Sequence, residues 1–161
     1  MKCILGKSKV KIIKGDLIKL ALVGQFDVIV HGCNCFHTMG AGIAKQIKII
    51  FPDAYKADLL TKYGDKSKLG TYSMAHIYQY DLIILNAYTQ YRFSGSGRKV
   101  HYSAIKSVFQ AIKNQHSGKR VGYPKIGAGL AGGSWVIISE IIEEELEGED
   151  HTLVVYRKED K

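Results

Sequence analysis

Residues 27–52, DVIVHGCNCFHTMGAGIAKQIKIIFP, pass from an unbroken apolar run into a glycine loop and then into a helical pattern. The run Asp27-Val28-Ile29-Val30-His31-Gly32 lacks the polar alternation of a strand with one wet face. It therefore reads as a strand covered on both sides, as in a parallel sheet. Met39-Gly40-Ala41-Gly42 follows, and Ile43, Ile47, Ile50 and Phe51 then recur on one helix face, with Pro52 as a stop signal. Strand, loop and helix in this order are the building unit of an α/β fold.

The same periodicities extend outward along the chain. Val10-Lys11-Ile12-Ile13-Lys14 reads as a strand closed by Gly15-Asp16. Thr71–Tyr78 and Leu82–Tyr88 read as a hairpin turning at Gln79-Tyr80-Asp81, the first strand lying towards an edge. Ile105, Val108, Phe109 and Ile112 mark a helix that ends near Ser117-Gly118. Arg120-Val121-Gly122-Tyr123 is a short strand leading into a second glycine cluster, Gly127-Ala128-Gly129-Leu130-Ala131-Gly132-Gly133. Ser134 then stands where it can cap a helix through Trp135, Ile138, Ile141, Ile142 and Leu146, and Thr152–Tyr156 is the last strand. The expected architecture is a three-layer α/β/α fold around a central mixed, mostly parallel sheet, built as a single domain over residues 1–161. No repeat or low-complexity stretch interrupts it. Tyr63–Leu69 and Phe93–Arg98 are the candidate mobile loops.

Composition narrows the function. Hydrophobic residues at 46% and charged residues at 24% are ordinary soluble values, and no apolar run is long enough for a membrane span. The start, Met1–Lys7, lacks the apolar core and cleavage site of a signal peptide, so the expected compartment is the cytoplasm. Three cysteines, Cys3, Cys33 and Cys35, fit reduced thiols; with no second Cys/His cluster to complete a tetrahedral set, no metal is expected. The net charge of +8 is unevenly spread: residues 1–139 carry 20 Lys/Arg against six Asp, while seven of the eleven residues from Glu140 to Asp150 are acidic. A basic body favours a small anionic ligand or nucleic acid, although its lysines are scattered and fit a solvated surface equally well.

Both glycine clusters fall where strands hand over to helices, at the carboxyl ends where ligands of α/β sheets bind. Glycine lets main-chain N–H groups approach a ligand closely, and a helix N-terminus adds its positive end, so two such loops suggest a diphosphate. The first cluster is not followed by Gly-Lys-Ser/Thr and is not completed to G-x-G-x-x-G. The second satisfies G-x-G-x-x-G at Gly127, Gly129 and Gly132, but it comes too late in the chain for a downstream ribose-binding acid. Nucleotide-triphosphate and nicotinamide chemistry are disfavoured, and no cofactor is expected.

Taken in order, Gly15-Asp16-Leu17, Val28-Ile29-Val30-His31-Gly32-Cys33-Asn34, Met39-Gly40-Ala41-Gly42-Ile43-Ala44 and Pro124-Lys125-Ile126-Gly127-Ala128-Gly129-Leu130 resemble the macro domain, a module that binds ADP-ribose. The resemblance covers essentially the whole chain and looks most like the branch holding ADP-ribose 1″-phosphate phosphatases of phages and bacteria. It implies that Asp16 and Leu17 receive the adenine, with Tyr156 stacking nearby. On the residues alone, Asp16 is equally an Asx turn or helix cap. The resemblance further implies that Asn34 contacts the distal ribose and that Gly40, Ala41, Gly42 and Ile43 line that end. Ile126, Gly127, Ala128, Gly129 and Leu130 would then wrap the diphosphate.

For the chemistry, His37 is the candidate acid or base beside Asn34, and His31 reads as buried and structural. Cys35 as a nucleophile lacks the C-x5-R loop. De-ADP-ribosylating relatives carry an aspartate in the second loop and a lysine earlier. Here Ala131 stands at the acid position and Tyr88-Thr89-Gln90-Tyr91 offers no lysine. The leading expectation is hydrolysis of ADP-ribose 1″-phosphate to ADP-ribose and phosphate. The alternatives are a de-ADP-ribosylating or O-acyl-ADP-ribose hydrolase, and a reader that binds ADP-ribose without turnover. With six aspartates in the body, Asp16 is the one acid placed near the site.

Overall fold

A computed structural model describes residues 10–157; Cys3 and the Met1–Lys7 start lie outside the described residues. Six strands form one sheet: β1 (Lys11–Gly15), β2 (Val28–Cys33), β3 (Tyr72–Ile77), β4 (Leu82–Tyr88), β5 (Val121–Tyr123) and β6 (His151–Tyr156). Their order across the sheet is β1-β6-β5-β2-β4-β3, every pair parallel except β3 with β4. The continuous apolar runs of β2 and β4 are explained by their central positions, buried on both faces. β3 is an edge strand and exposes Met74, as its mixed pattern requires.

Alternation sends odd and even residues of each strand to opposite layers. Val28 and Val30 of β2 and Leu85 of β4 pack with α4 (Tyr102–His116) and α5 (Trp135–Glu145), where Phe109 meets Tyr123 edge-on at 5.7 Å. Ile29, Leu82 and Ile84 face α1 (Leu17–Leu22), α2 (Gly42–Ile50) and α3 (Pro52–Leu59). This is the three-layer α/β/α arrangement. Burying each such Ile, Val, Leu or Phe side chain contributes about 1.5–3 kcal/mol, and these residues make up most of the buried cluster on either face.

Three local readings change. Pro52 does stop α2, but it also occupies the first turn of α3, where its missing N–H has no partner to lose. Ser134 sits at the N-cap of α5 without a capping bond from its side chain; its N–H instead donates to the Tyr102 hydroxyl at 3.0 Å. The Tyr63–Leu69 segment contains a 3-10 turn at Lys66–Lys68 whose Lys68 is buried. Because β2, β4 and β5 run parallel, the loops that follow them emerge on one rim of the sheet, and there the site forms.

Candidate functional site

A cleft of about 630 Å³ opens at that rim. One wall is the loop between β2 and α2. Asn34 shapes it as an Asx turn: its Oδ1 accepts from Phe36 N at 2.8 Å and its Nδ2 donates to Thr38 Oγ1 at 2.6 Å. Cys35 N bonds Tyr91 O at 3.0 Å, and Phe36 packs against Tyr63, Tyr91 and Phe93. No side chain caps α2, whose first-turn residues Gly42, Ile43 and Ala44 belong to the wall. Its amino end therefore presents uncapped N–H groups and the positive pole of the helix to the cleft.

The facing wall is the loop between β5 and α5. Gly127 and Gly132 lie at φ 75° and 73°, and Gly133 N closes a tight turn on Gly127 O at 2.7 Å. The 98–100 segment is zipped to this loop by Lys99 N and Val100 N, which both bond Ala131 O. Among the described residues the N–H groups of Gly127, Gly129 and Leu130 donate to no protein acceptor. Leu130, 80% exposed, and Phe93, 55% exposed, form apolar lips on either side. Two strips of main-chain donors across one cleft are suited to an extended polyanionic linker flanked by apolar surface.

Of the residues singled out in the sequence, Asn34, Gly40, Ala41, Gly42, Ile43, Ile126, Gly127, Gly129 and Leu130 come together in the wall. Ala128 belongs to the same loop without lining the cleft. Asp16 is the N-cap of α1, its Oδ1 accepting from Ile18 N at 2.9 Å and Lys19 N at 3.1 Å, so the capping role is real. The Leu17 side chain is core. Tyr156 is exposed and pairs in register with Gly15, beside Asp16 at the β1–β6 edge. His37 does not reach the wall: its Nε2 lies 3.0 Å from Thr61 Oγ1 and its ring meets Tyr63. His31 is fully buried, donates from Nε2 to Asn86 Oδ1 at 2.6 Å, and is held down to a pKa of about 4 by burial. Burial also pushes the Cys33 and Cys35 thiols up, which argues against either as a thiolate nucleophile.

One expectation is overturned. Asp16 is not the only acid near the cleft, because Asp58 of α3 lines it, 1% exposed, with Oδ1 accepting from Tyr88 OH at 2.6 Å. The available signal was spacing: Asp58 continues the inward stripe of Phe51 and Ala54. Gln90 and Ala131 are also in the wall.

The Macro domain family model matches residues 30–142. An uncharacterised 17.5 kDa protein from the tk–vs intergenic region of enterobacteria phage T4 is 39% identical over 141 residues, covering 83% of this chain and 88% of its own length. The ADP-ribose glycohydrolase OARD1 of Bos taurus is 30% identical over 152 residues, with 92% and 91% covered. A DNA ADP-ribosyl glycohydrolase of Thermus aquaticus is 27% identical over 145 residues, but the alignment spans 85% of this chain and 38% of that protein. Among solved structures, a Bacteroides thetaiotaomicron protein of unknown function superposes with a TM-score of 0.77 at 23% identity, covering 92% of this chain and 99% of that one. Thermosipho africanus DarTG in complex with ADP-ribose gives 0.71 at 18%, covering 95% and 43%. With two glycine loops opposed across the rim of a mixed six-stranded sheet and this span of matching sequence, the chain belongs to the macro domain family.

Proposed function

We propose that the cleft binds ADP-ribose and that the chain hydrolyses the substituent on C1″ of its distal ribose, releasing phosphate from ADP-ribose 1″-phosphate. The observation that carries this reading is the pair of glycine loops, whose unengaged N–H groups and uncapped helix end converge on one elongated space. In this arrangement Gly127–Leu130 holds the diphosphate, Gly40–Gly42 closes over the distal ribose, and Asn34 offers its second amide N–H to a ribose hydroxyl. Asp16 and Tyr156, side by side at the β1–β6 edge, receive the adenine. With Ala131 in the wall, the second glycine loop supplies no aspartate for a covalent glycosyl route, which favours phosphate as the leaving group.

Release of ADP-ribose from a modified macromolecule is the second reading. It is favoured by the activities named for the Bos taurus and Thermus aquaticus relatives and, for a nucleic acid carrier, by the cationic Lys125 in the wall.

Gly129 supplies the test. It lines the cleft, and a Cβ built there meets nothing within 4 Å, so Gly129→Val leaves the fold intact while filling ligand space. Calorimetry with ADP-ribose is expected to show binding by the native chain and at least tenfold weaker binding by the variant, with unchanged melting. Phosphate release from the 1″-phosphate separates the first reading from the second. No heat with the native chain ends both.

A further inference from the structure

Asp58 is a carboxylate held almost wholly inside the fold at the wall of the cleft, and one of its oxygens has no partner. Oδ1 is occupied by Tyr88 OH at 2.6 Å, whereas Oδ2 is buried and meets no donor among the described residues. Folded proteins rarely leave a buried acceptor of this kind unsatisfied, least of all on an acid, so the position calls for a functional account.

The surroundings are built around this carboxyl. The register of β2 with β4 sets Cys33 beside Tyr88, and so brings the Asn34 end of the cleft next to Asp58. Burial and the Asp58 contact keep the Tyr88 phenol above the ordinary tyrosine range, so it remains a donor and fixes the carboxyl plane. Ser73 Oγ lies 2.9 Å from the same phenol. Thr61 Oγ1 donates to the Asp58 carbonyl at 2.6 Å and accepts from the buried Lys68 ammonium at 2.9 Å, which also stands 4.8 Å over the Tyr88 ring. Neither Thr61 nor Lys68 occupies Oδ2. The titratable and charged groups facing Asp58 are therefore Tyr88 of β4, Lys68 of the 3-10 turn, Cys33 of β2 and Cys35 beyond it, with His37 reached through Thr61.

Elimination along the wall leaves the same residue. The other ionisable side chains there are Cys33, whose thiol burial holds protonated, and Lys125, a cation. Neither accepts a proton at neutral pH.

We infer that Asp58 is the general base of the cleft, its Oδ2 taking the proton of the water that attacks the group on C1″. This assignment rests on the hydrolase reading. For the 1″-phosphate, the water oxygen bonds to phosphorus as the bond from phosphorus to O1″ breaks. Oδ2 takes one water proton and later releases it to solvent. O1″ leaves with the bonding electron pair and picks up a proton from solvent, giving ADP-ribose and inorganic phosphate.

The experiment compares the native chain, Asp58→Asn and Tyr88→Phe. Native protein is expected to bind ADP-ribose and release phosphate from the 1″-phosphate. Asp58→Asn is expected to bind ADP-ribose within threefold of native while its kcat falls 10²- to 10⁴-fold, the span of a lost general base. Tyr88→Phe keeps the base but removes the hydrogen bond that orients its carboxyl, so kcat is expected to fall at least fivefold while ADP-ribose binding stays within threefold of native. An Asp58→Asn protein that folds and retains more than a tenth of native kcat overturns the assignment and leaves the hydrolase reading standing. Should Asp58→Asn fail to fold, Tyr88→Phe decides, and an unchanged kcat in that variant overturns the assignment. A native chain without turnover on any ADP-ribose derivative removes the hydrolase reading and the assignment together.

Discussion

His31 shows how one buried side chain sets a pH dependence for the whole fold. Its ring is fully buried, and burial lowers its pKa to about 4, while the hydrogen bond to Asn86 works in the other direction. In the unfolded chain an ordinary histidine titrates near 6.5, so between those values the unfolded state binds more protons and stability falls as pH falls. The contribution is fully present above about pH 6.5, amounts to about 3 kcal/mol, and is lost as pH drops through about 4. His31→Gln, which can still donate to Asn86 Oδ1, is expected to flatten that part of the acid slope. Urea unfolding at pH 7.5 and pH 4 measures it, and equal losses for variant and native chain would refute the assignment. Asp58 is the counterpart at the same scale: its charge suggests surface, while its spacing from Phe51 and Ala54 and the packing of α3 against β3 and β4 turn it inward.

At the scale of elements, the loop between β5 and α5 is shaped by close approach more than by flexibility. A Cβ on Gly133 would stand 2.6 Å from Gly127 O and 2.6 Å from Val100 Cγ1, with Ile138 Cδ1 at 2.9 Å. The backbone carbonyl cannot give way without breaking the turn that it accepts from Gly133 N. Gly133→Ala is therefore expected to destabilise by about 1–3 kcal/mol and to weaken ADP-ribose binding by displacing the loop, where Gly129→Val weakens binding alone. Melting curves and calorimetry on the two variants separate shape from occupancy; equal melting temperatures would contradict the close-packing account. α2 and α3 make a similar point. Pro52 ends one helix and begins the next, because its fixed φ and absent N–H suit a first turn as well as a stop, and a stop signal alone does not say which follows.

For the molecule as a whole, the two layers of helices share one sheet, so damage on one face reaches the rim. Phe109, fully buried on α4 against Tyr123 of β5, stands directly behind the strand that launches the second glycine loop. Phe109→Ala is expected to cost about 3–5 kcal/mol and to lower Tm by about 10 °C in a single transition. Far- and near-ultraviolet circular dichroism followed together test this, and two separated transitions would contradict the single-domain expectation. The order of strands, glycine loops and helices was determined by the sequence itself, because central parallel strands need unbroken apolar runs and close-approach loops need glycine, whatever else the chain contains. The two glycine loops were legible for the same reason, whereas Asn34 stood out through the family resemblance. Tertiary structure alone decided that His37 stays off the wall and that Asp58 and Lys68 meet Tyr88 beneath the cleft. Those contacts join residues that are distant in the chain, and burial, which gives each of them its chemistry, is a property of the packed fold and not of local sequence.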